Sequence, residues 1–94
     1  MELSERCLKQ LQAEGFGSVY EWTDPARTEY AEHSHAGRVS LIVTDGSITF
    51  DFEGTIKVLK AGDRFDVPIG KPHNAIVGDR GWSVVVGEEF EEGP

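Results

Sequence analysis

Apolar residues recur at near-helical spacing only at the start of the chain, where Leu3, Cys7, Leu8 and Leu11 share one face. The spacing predicts one short amphipathic helix, with Ser4 as its N-cap and Gly15 as its stop. From Phe16 onward the period changes to two. Val39, Leu41 and Val43 recur at every second position, as do Ile48, Phe50 and Phe52, then Ile56 and Val58, then Phe65, Val67 and Ile69, then Val84 and Val86. Alternation of this kind predicts short strands, each turning one face to a shared interior. Turn residues separate the runs at Asp24-Pro25, Asp45-Gly46, Glu53-Gly54, Ala61-Gly62-Asp63, Gly70-Lys71-Pro72 and Asp79-Arg80-Gly81. Many short strands with frequent turns point to an all-β sandwich or small barrel.

The sequence has 94 residues, enough for one compact domain. We divide it into an N-terminal helix (1–15), a strand-rich body (16–90) and an acidic tail (91–94), with Phe90 docking the end of the chain onto the body. A net charge of −8, from 9 Lys and Arg against 17 Asp and Glu, opposes binding to nucleic acid and to anionic membranes. No apolar run approaches the roughly 20 residues a membrane span needs, and the first ten residues do not read as a signal peptide, so a cytoplasmic location is expected. A single cysteine, Cys7, excludes an internal disulfide and reads as a buried thiol.

The three histidines carry the candidate chemistry. His33 and His35 stand one residue apart, and in a strand such residues share a face, about 6 to 7 Å apart along the chain, within reach of one ion. The plainer alternative is a solvated polar pair. His73 follows Pro68, Gly70 and Pro72, a tight turn that would hold it in place, or with which it would merely hydrogen-bond.

The stretch HSHAGRVSLIVTDG resembles the first sequence motif of the cupin superfamily, and GDRFDVPIGKPH resembles its second. The first contributes His33, His35 and Gly46, and the second Gly62, Pro68, Gly70 and His73. The resemblance implies a small cupin jelly-roll β-barrel or sandwich behind the short helix, and a homodimer. It also implies a divalent transition metal held by His33, His35 and His73. Cupins commonly add a glutamate to those histidines, and its position here is Val39. Arg27 and Val77 likewise replace a glycine and an asparagine of the pattern. No substitute ligand is apparent. Glu29 lies roughly 13 Å along a strand from His33, Glu32 has the wrong parity, and Arg38 carries the wrong charge.

Three imidazoles without a carboxylate suit Fe, Ni, Cu or Zn rather than Mg or Ca, and leave a position open to a ligand. The resemblance implies a metal-dependent enzyme, dioxygenase-like with iron, acting on a small oxygen-rich substrate. The alternative is a non-catalytic module that binds a metal or a small ligand. Arg38 reads as a surface residue or as an attractor of anions at the mouth of the site, and Tyr20, Trp22, Phe50, Phe52, Phe65 and Trp82 as core or interface.

Overall fold

The computed structural model describes residues 2–89; the reading of Phe90 and of the tail 91–94 falls outside them. Helix α1 (Leu3–Ala13) precedes six strands: β1 (Ser18–Asp24), β2 (Glu29–His33), β3 (Val39–Phe52), β4 (Thr55–Lys60), β5 (Arg64–Val67) and β6 (His73–Glu88). Every pairing is antiparallel. The two long strands β3 and β6 pair along their length and form the spine. Each has two short strands on its other edge: β5 and β4 on β3, β1 and β2 on β6. The architecture is an all-β jelly roll of the sandwich kind. Its sheet path runs β1-β6-β3-β4, and among the described residues it does not close into a barrel.

Two expected turns prove to lie inside strands. Asp45-Gly46 belongs to β3 and Asp79-Arg80-Gly81 to β6, and the β3/β6 register shifts between Val43 and Asp45 and again between Gly46 and Ile48. An inserted residue bends a strand without ending it. Gly46 and Gly81 both have positive φ, 69° and 76°, which is why the chemistry resembles that of a turn. Glu53-Gly54 does form a two-residue hairpin, both residues left-handed, and Phe52 pairs with Thr55 across it.

The bend lets both ends of the spine face one interior. Val39, Leu41 and Val43 pack in the same buried cluster as Ile48, Phe50 and Phe52, and meet Val84 and Val86 there. On β4 the apolar alternation faces outward: the inward residue is Leu59, at 1% exposure, while Ile56 and Val58 are 58% and 51% exposed. They pair with Asp51 and Thr49, on the outer face of the sheet. Ile69 lies beyond the end of β5 and is exposed as well.

Helix α1 covers the other face of the spine. Cys7 and Leu11 form a second buried cluster with Phe16, Ile42 and Val85. Burial pushes the Cys7 thiol above its ordinary pKa, against the opposing effect of Arg6, consistent with an inert packing residue. The N-cap is Glu2, without a side-chain cap bond, so Ser4 lies within the helix. Gly15, with φ of 91°, follows the C-cap Glu14 as the stop. Glu14 accepts two hydrogen bonds from Arg64, at 2.6 and 2.7 Å, joining the end of α1 to β5.

Candidate metal centre

The three histidines converge. His33 ends β2 and pairs directly with His73, the first residue of β6. His35 lies in the loop after β2 rather than in a strand, a correction to the expectation of one strand carrying both. Its carbonyl accepts a 2.8 Å hydrogen bond from the Gly70 amide, so the turn that presents His73 also holds the loop that presents His35. The ring centroids are 4.9 Å apart for His33 and His35, 4.5 Å for His33 and His73, and 5.4 Å for His35 and His73. One nitrogen from each ring lies within 4.8 Å of the other two. Donor atoms about 2.0 to 2.1 Å from a common ion lie 3 to 3.5 Å apart around a tetrahedron, so a modest contraction would close the set.

Two of the rings are oriented by the backbone. His33 Nδ1 is 2.8 Å from the Ala31 carbonyl and His73 Nδ1 is 3.0 Å from the Lys71 carbonyl. A carbonyl only accepts, so each Nδ1 carries the proton and each Nε2 keeps its lone pair for a metal. His73 thus does hydrogen-bond in its turn, and that bond leaves its Nε2 able to bind a metal. The residue is 2% exposed. Burial lowers its pKa, the Lys71 carbonyl acts the other way, and His33 and His35 lower it further. A folded pKa below the unfolded one favours the neutral imidazole above about pH 6.5, with that contribution lost as pH falls. The neutral ring is also the ligating form.

The triad opens into a cavity of about 280 Å³. Its walls include Val39, Leu41, Val67 and Val86, with Tyr20, Trp22, Phe50 and Trp82 among the aromatic lining. Val39 therefore faces the site as an apolar wall residue. Glu29 and Glu32 do not line the cavity, and among the described residues the metal-competent cluster contains the three histidines alone. Arg38 lies elsewhere: its guanidinium sits 4.3 Å over the Phe16 ring and pairs with Glu89 at 3.5 Å, beside a second cavity.

Two carboxylates near the site escaped the sequence reading. Asp24, read only as part of a turn, accepts hydrogen bonds from Trp82 Nε1 at 2.8 Å, Trp22 Nε1 at 3.1 Å and the Tyr30 hydroxyl, fixing three side chains of the pocket wall. Glu88, given no role in the sequence reading, lines the pocket and accepts a 2.5 Å hydrogen bond from Tyr20. Strand alternation after Val84 and Val86 places Glu88 on their face and was the available signal.

The Tyr30 environment has a measurable consequence. Burial, and then the bond to Asp24, push its phenol from 10.0 to about 12. A raised folded pKa means the stabilisation is complete below about pH 10 and is lost as pH rises through about 12. Titration followed by phenolate absorbance is expected to show a step near pH 12 that Tyr30→Phe removes; persistence of that step in the variant would reassign it.

No protein-family model matches the sequence, and no curated protein matches it. Solved structures do. An RmlC-like cupin from Shewanella frigidimarina is 27% identical, with a TM-score of 0.66 over 79% of this chain and 67% of that one. A cupin-2 domain protein from the same organism is 20% identical, with a TM-score of 0.64 over 72% of this chain and 65% of its own. The DMSP lyase DddQ from Ruegeria pomeroyi is 26% identical, with a TM-score of 0.68 over 81% of this chain. This chain spans just under two thirds of the cupin-2 protein and 39% of the lyase. The bent antiparallel spine and the shared fold of these neighbours agree with the two motifs: the chain has the cupin fold.

Proposed function

We propose that His33, His35 and His73 hold a divalent transition metal, one of Fe, Ni, Cu or Zn, and that the pocket is the active site of a metal-dependent enzyme acting on a small oxygen-rich substrate. The convergence of three imidazole nitrogens within 4.8 Å carries this reading, supported by the carbonyl-bound Nδ1 atoms of His33 and His73. When bound, the metal would supply Lewis acidity toward a substrate oxygen. The residues of the chain do the rest. Val39, Leu41, Val67 and Val86 exclude water around a compact carbon skeleton, and Asp24 keeps Trp22, Tyr30 and Trp82 in place. A dioxygenase-like reaction is the form the three-histidine donor set suggests with iron. The presence of Glu88 and Tyr20 in the pocket favours an enzyme over a passive binding module.

Elemental analysis of purified protein after reconstitution with each of the four metals tests the reading. Stoichiometric uptake is expected; none with any of them would sink it. Oxygen uptake by the iron form against small diketones and phenolic acids tests the dioxygenase form separately.

Position 39 allows a sharper test. Val39→Glu adds an oxygen donor at the pocket wall, and is expected to move metal preference toward Mn and Fe. It also sets a second carboxylate directly across the ladder from Glu88. Like charges at that distance raise the proton affinity of the pair. Competition dialysis of both proteins against Mn, Fe, Ni and Zn measures the change; an unaltered order would mean position 39 does not reach the ion.

We further propose a homodimer. The exposed Ile56 and Val58 on β4, with Ile76 on β6 paired to Thr49 beside Val58, support it as an apolar strip on the outer face. Sedimentation across a range of concentrations is expected to show association; a monomer throughout would defeat it.

A further inference from the structure

The wall of the pocket is apolar around Val39, Leu41 and Val86, yet a carboxylate stands in it. Glu88 pairs across the ladder with Val39, and Val86, two residues earlier, pairs with both Leu41 and Tyr20. Opposed residues share a face of a sheet, so Glu88, Val39, Leu41 and Tyr20 all turn to the same interior, and all four line the pocket. A half-buried carboxylate in apolar surroundings needs a partner. Tyr20 supplies one through its 2.5 Å hydrogen bond, and among the described residues no lysine or arginine forms an ion pair with Glu88. An ionised carboxylate has two oxygens and accepts several hydrogen bonds. The Tyr20 bond to Oε1 therefore orients the group and leaves Oε2 for a bound molecule. Glu88 is also outside the set of donor atoms gathered at the triad, which places it to meet a substrate rather than the ion.

We propose that Glu88, positioned by Tyr20, is the general base of the pocket. It removes a proton from the carbon next to a carbonyl whose oxygen is directed at the histidines, in a small 2-oxo acid or hydroxy ketone. This rests on the metal-and-substrate reading of the same pocket but not on its dioxygenase form. In the step, the C–H bond breaks and its proton passes to Glu88 Oε2, which becomes a carboxylic acid. The electron pair forms a carbon–carbon double bond, and the negative charge moves to the former carbonyl oxygen. Return of a proton to the same carbon gives exchange with solvent; in a hydroxy ketone, return to the former carbonyl carbon, with the proton of the neighbouring hydroxyl passing to the former carbonyl oxygen, gives its isomer. Nothing is oxidised or reduced overall, so no co-reactant is required. The cavity of about 280 Å³ suits a substrate of a few carbons.

The test is hydrogen–deuterium exchange in deuterium oxide, followed by proton NMR, with pyruvate and dihydroxyacetone as the two probes and zinc-reconstituted full chain as catalyst. Wild type is expected to exchange at least one probe well above a zinc-buffer control. Glu88→Gln should lower that rate by about 100-fold or more, the usual contribution of a general base, with metal content and melting temperature unchanged. Glu88→Asp should recover part of it. Tyr20→Phe should lower the rate at saturating probe without moving the half-saturating concentration, which separates positioning from loss of the pocket. Wild-type exchange in Glu88→Gln, or no exchange of either probe by fully metallated wild type, overturns the proposal and leaves the metal site standing. Exchange by protein that takes up no metal would instead retain the base and overturn the metal reading.

Discussion

Replacing His73 with alanine is expected to abolish stoichiometric metal uptake. His73 is the most buried of the three candidate ligands and the one presented by a constrained turn, with Nδ1 bound to the Lys71 carbonyl and the Gly70 amide bound to the loop of His35. Its loss leaves two imidazoles, one at the end of β2 and one in a loop. Loss of an outer partner alone typically weakens metal binding by about 10 to 100-fold. Loss of a ligand should therefore exceed about 100-fold, enough to reduce copurified metal to background. The same change opens a cavity beside Phe50 and Phe52, whose ring centroids lie 5.7 and 5.0 Å from that of His73. Circular dichroism at the temperature of the metal assay separates failed binding from failed folding. A folded variant that retains full metal would remove His73 from the site.

Gly46→Ala should produce the largest loss of stability among the substitutions discussed. A Cβ at Gly46 would stand 2.0 Å from the carbonyl oxygen of Gly81 and 2.8 Å from Trp82 Cα, both backbone atoms of β6 that no rotamer change can move. Its φ of 69° adds a conformational penalty of about 1 to 2 kcal/mol for any residue with a Cβ. Forced overpacking adds roughly 1 to 3 kcal/mol more. The sum, about 2 to 5 kcal/mol, is a large part of the stability of a small domain. At about 4 to 8 °C per kcal/mol it would lower the Tm by roughly 8 to 40 °C. Gly54→Ala is the control, because its φ is also left-handed, at 95°, but a Cβ there meets nothing within 4 Å. It should lose only the conformational part. Equal melting temperatures for the two variants would show that the approach of β3 to β6 at Gly46 is not the constraint.

Gly46 also illustrates how far local chemistry can be read. An aspartate followed by a glycine marks a left-handed backbone, and the left-handed backbone is there, but whether it reverses the chain or bends a strand depends on what lies opposite. The hairpin at Glu53-Gly54 and the bulge at Asp45-Gly46 carry similar residues. They differ because Gly46 faces Trp82, 36 positions away, while Phe52 pairs with Thr55 next door. The same applies to Ile56 and Val58. Their alternation announces a strand, but alternation does not say which face is inward, and at the edge of the sheet Leu59 took that role.

The histidine site was legible because it depends on local spacing. His33 and His35 are separated by one residue, and His73 follows a proline- and glycine-defined turn, so each histidine stands in a recognisable local setting. Glu88 was not read as a pocket residue, although its alternation with Val84 and Val86 was a signal for it. It lies 68 positions from Tyr20 and 49 from Val39, and its local setting among the glutamates of the C-terminal segment resembles a solvated tail.

The sequence by itself determined the class of fold, the identity of the three clustered histidines and the apolar residue at position 39. These follow from short-range periodicity and from residue types a few positions apart. The tertiary structure alone decided that β3 and β6 bend rather than turn, that Asp24 braces the aromatic wall, and that a Tyr20-held carboxylate shares the pocket with the histidines. The reason is physical: each of these depends on cross-strand register, which brings together residues whose separation along the chain carries no local signal.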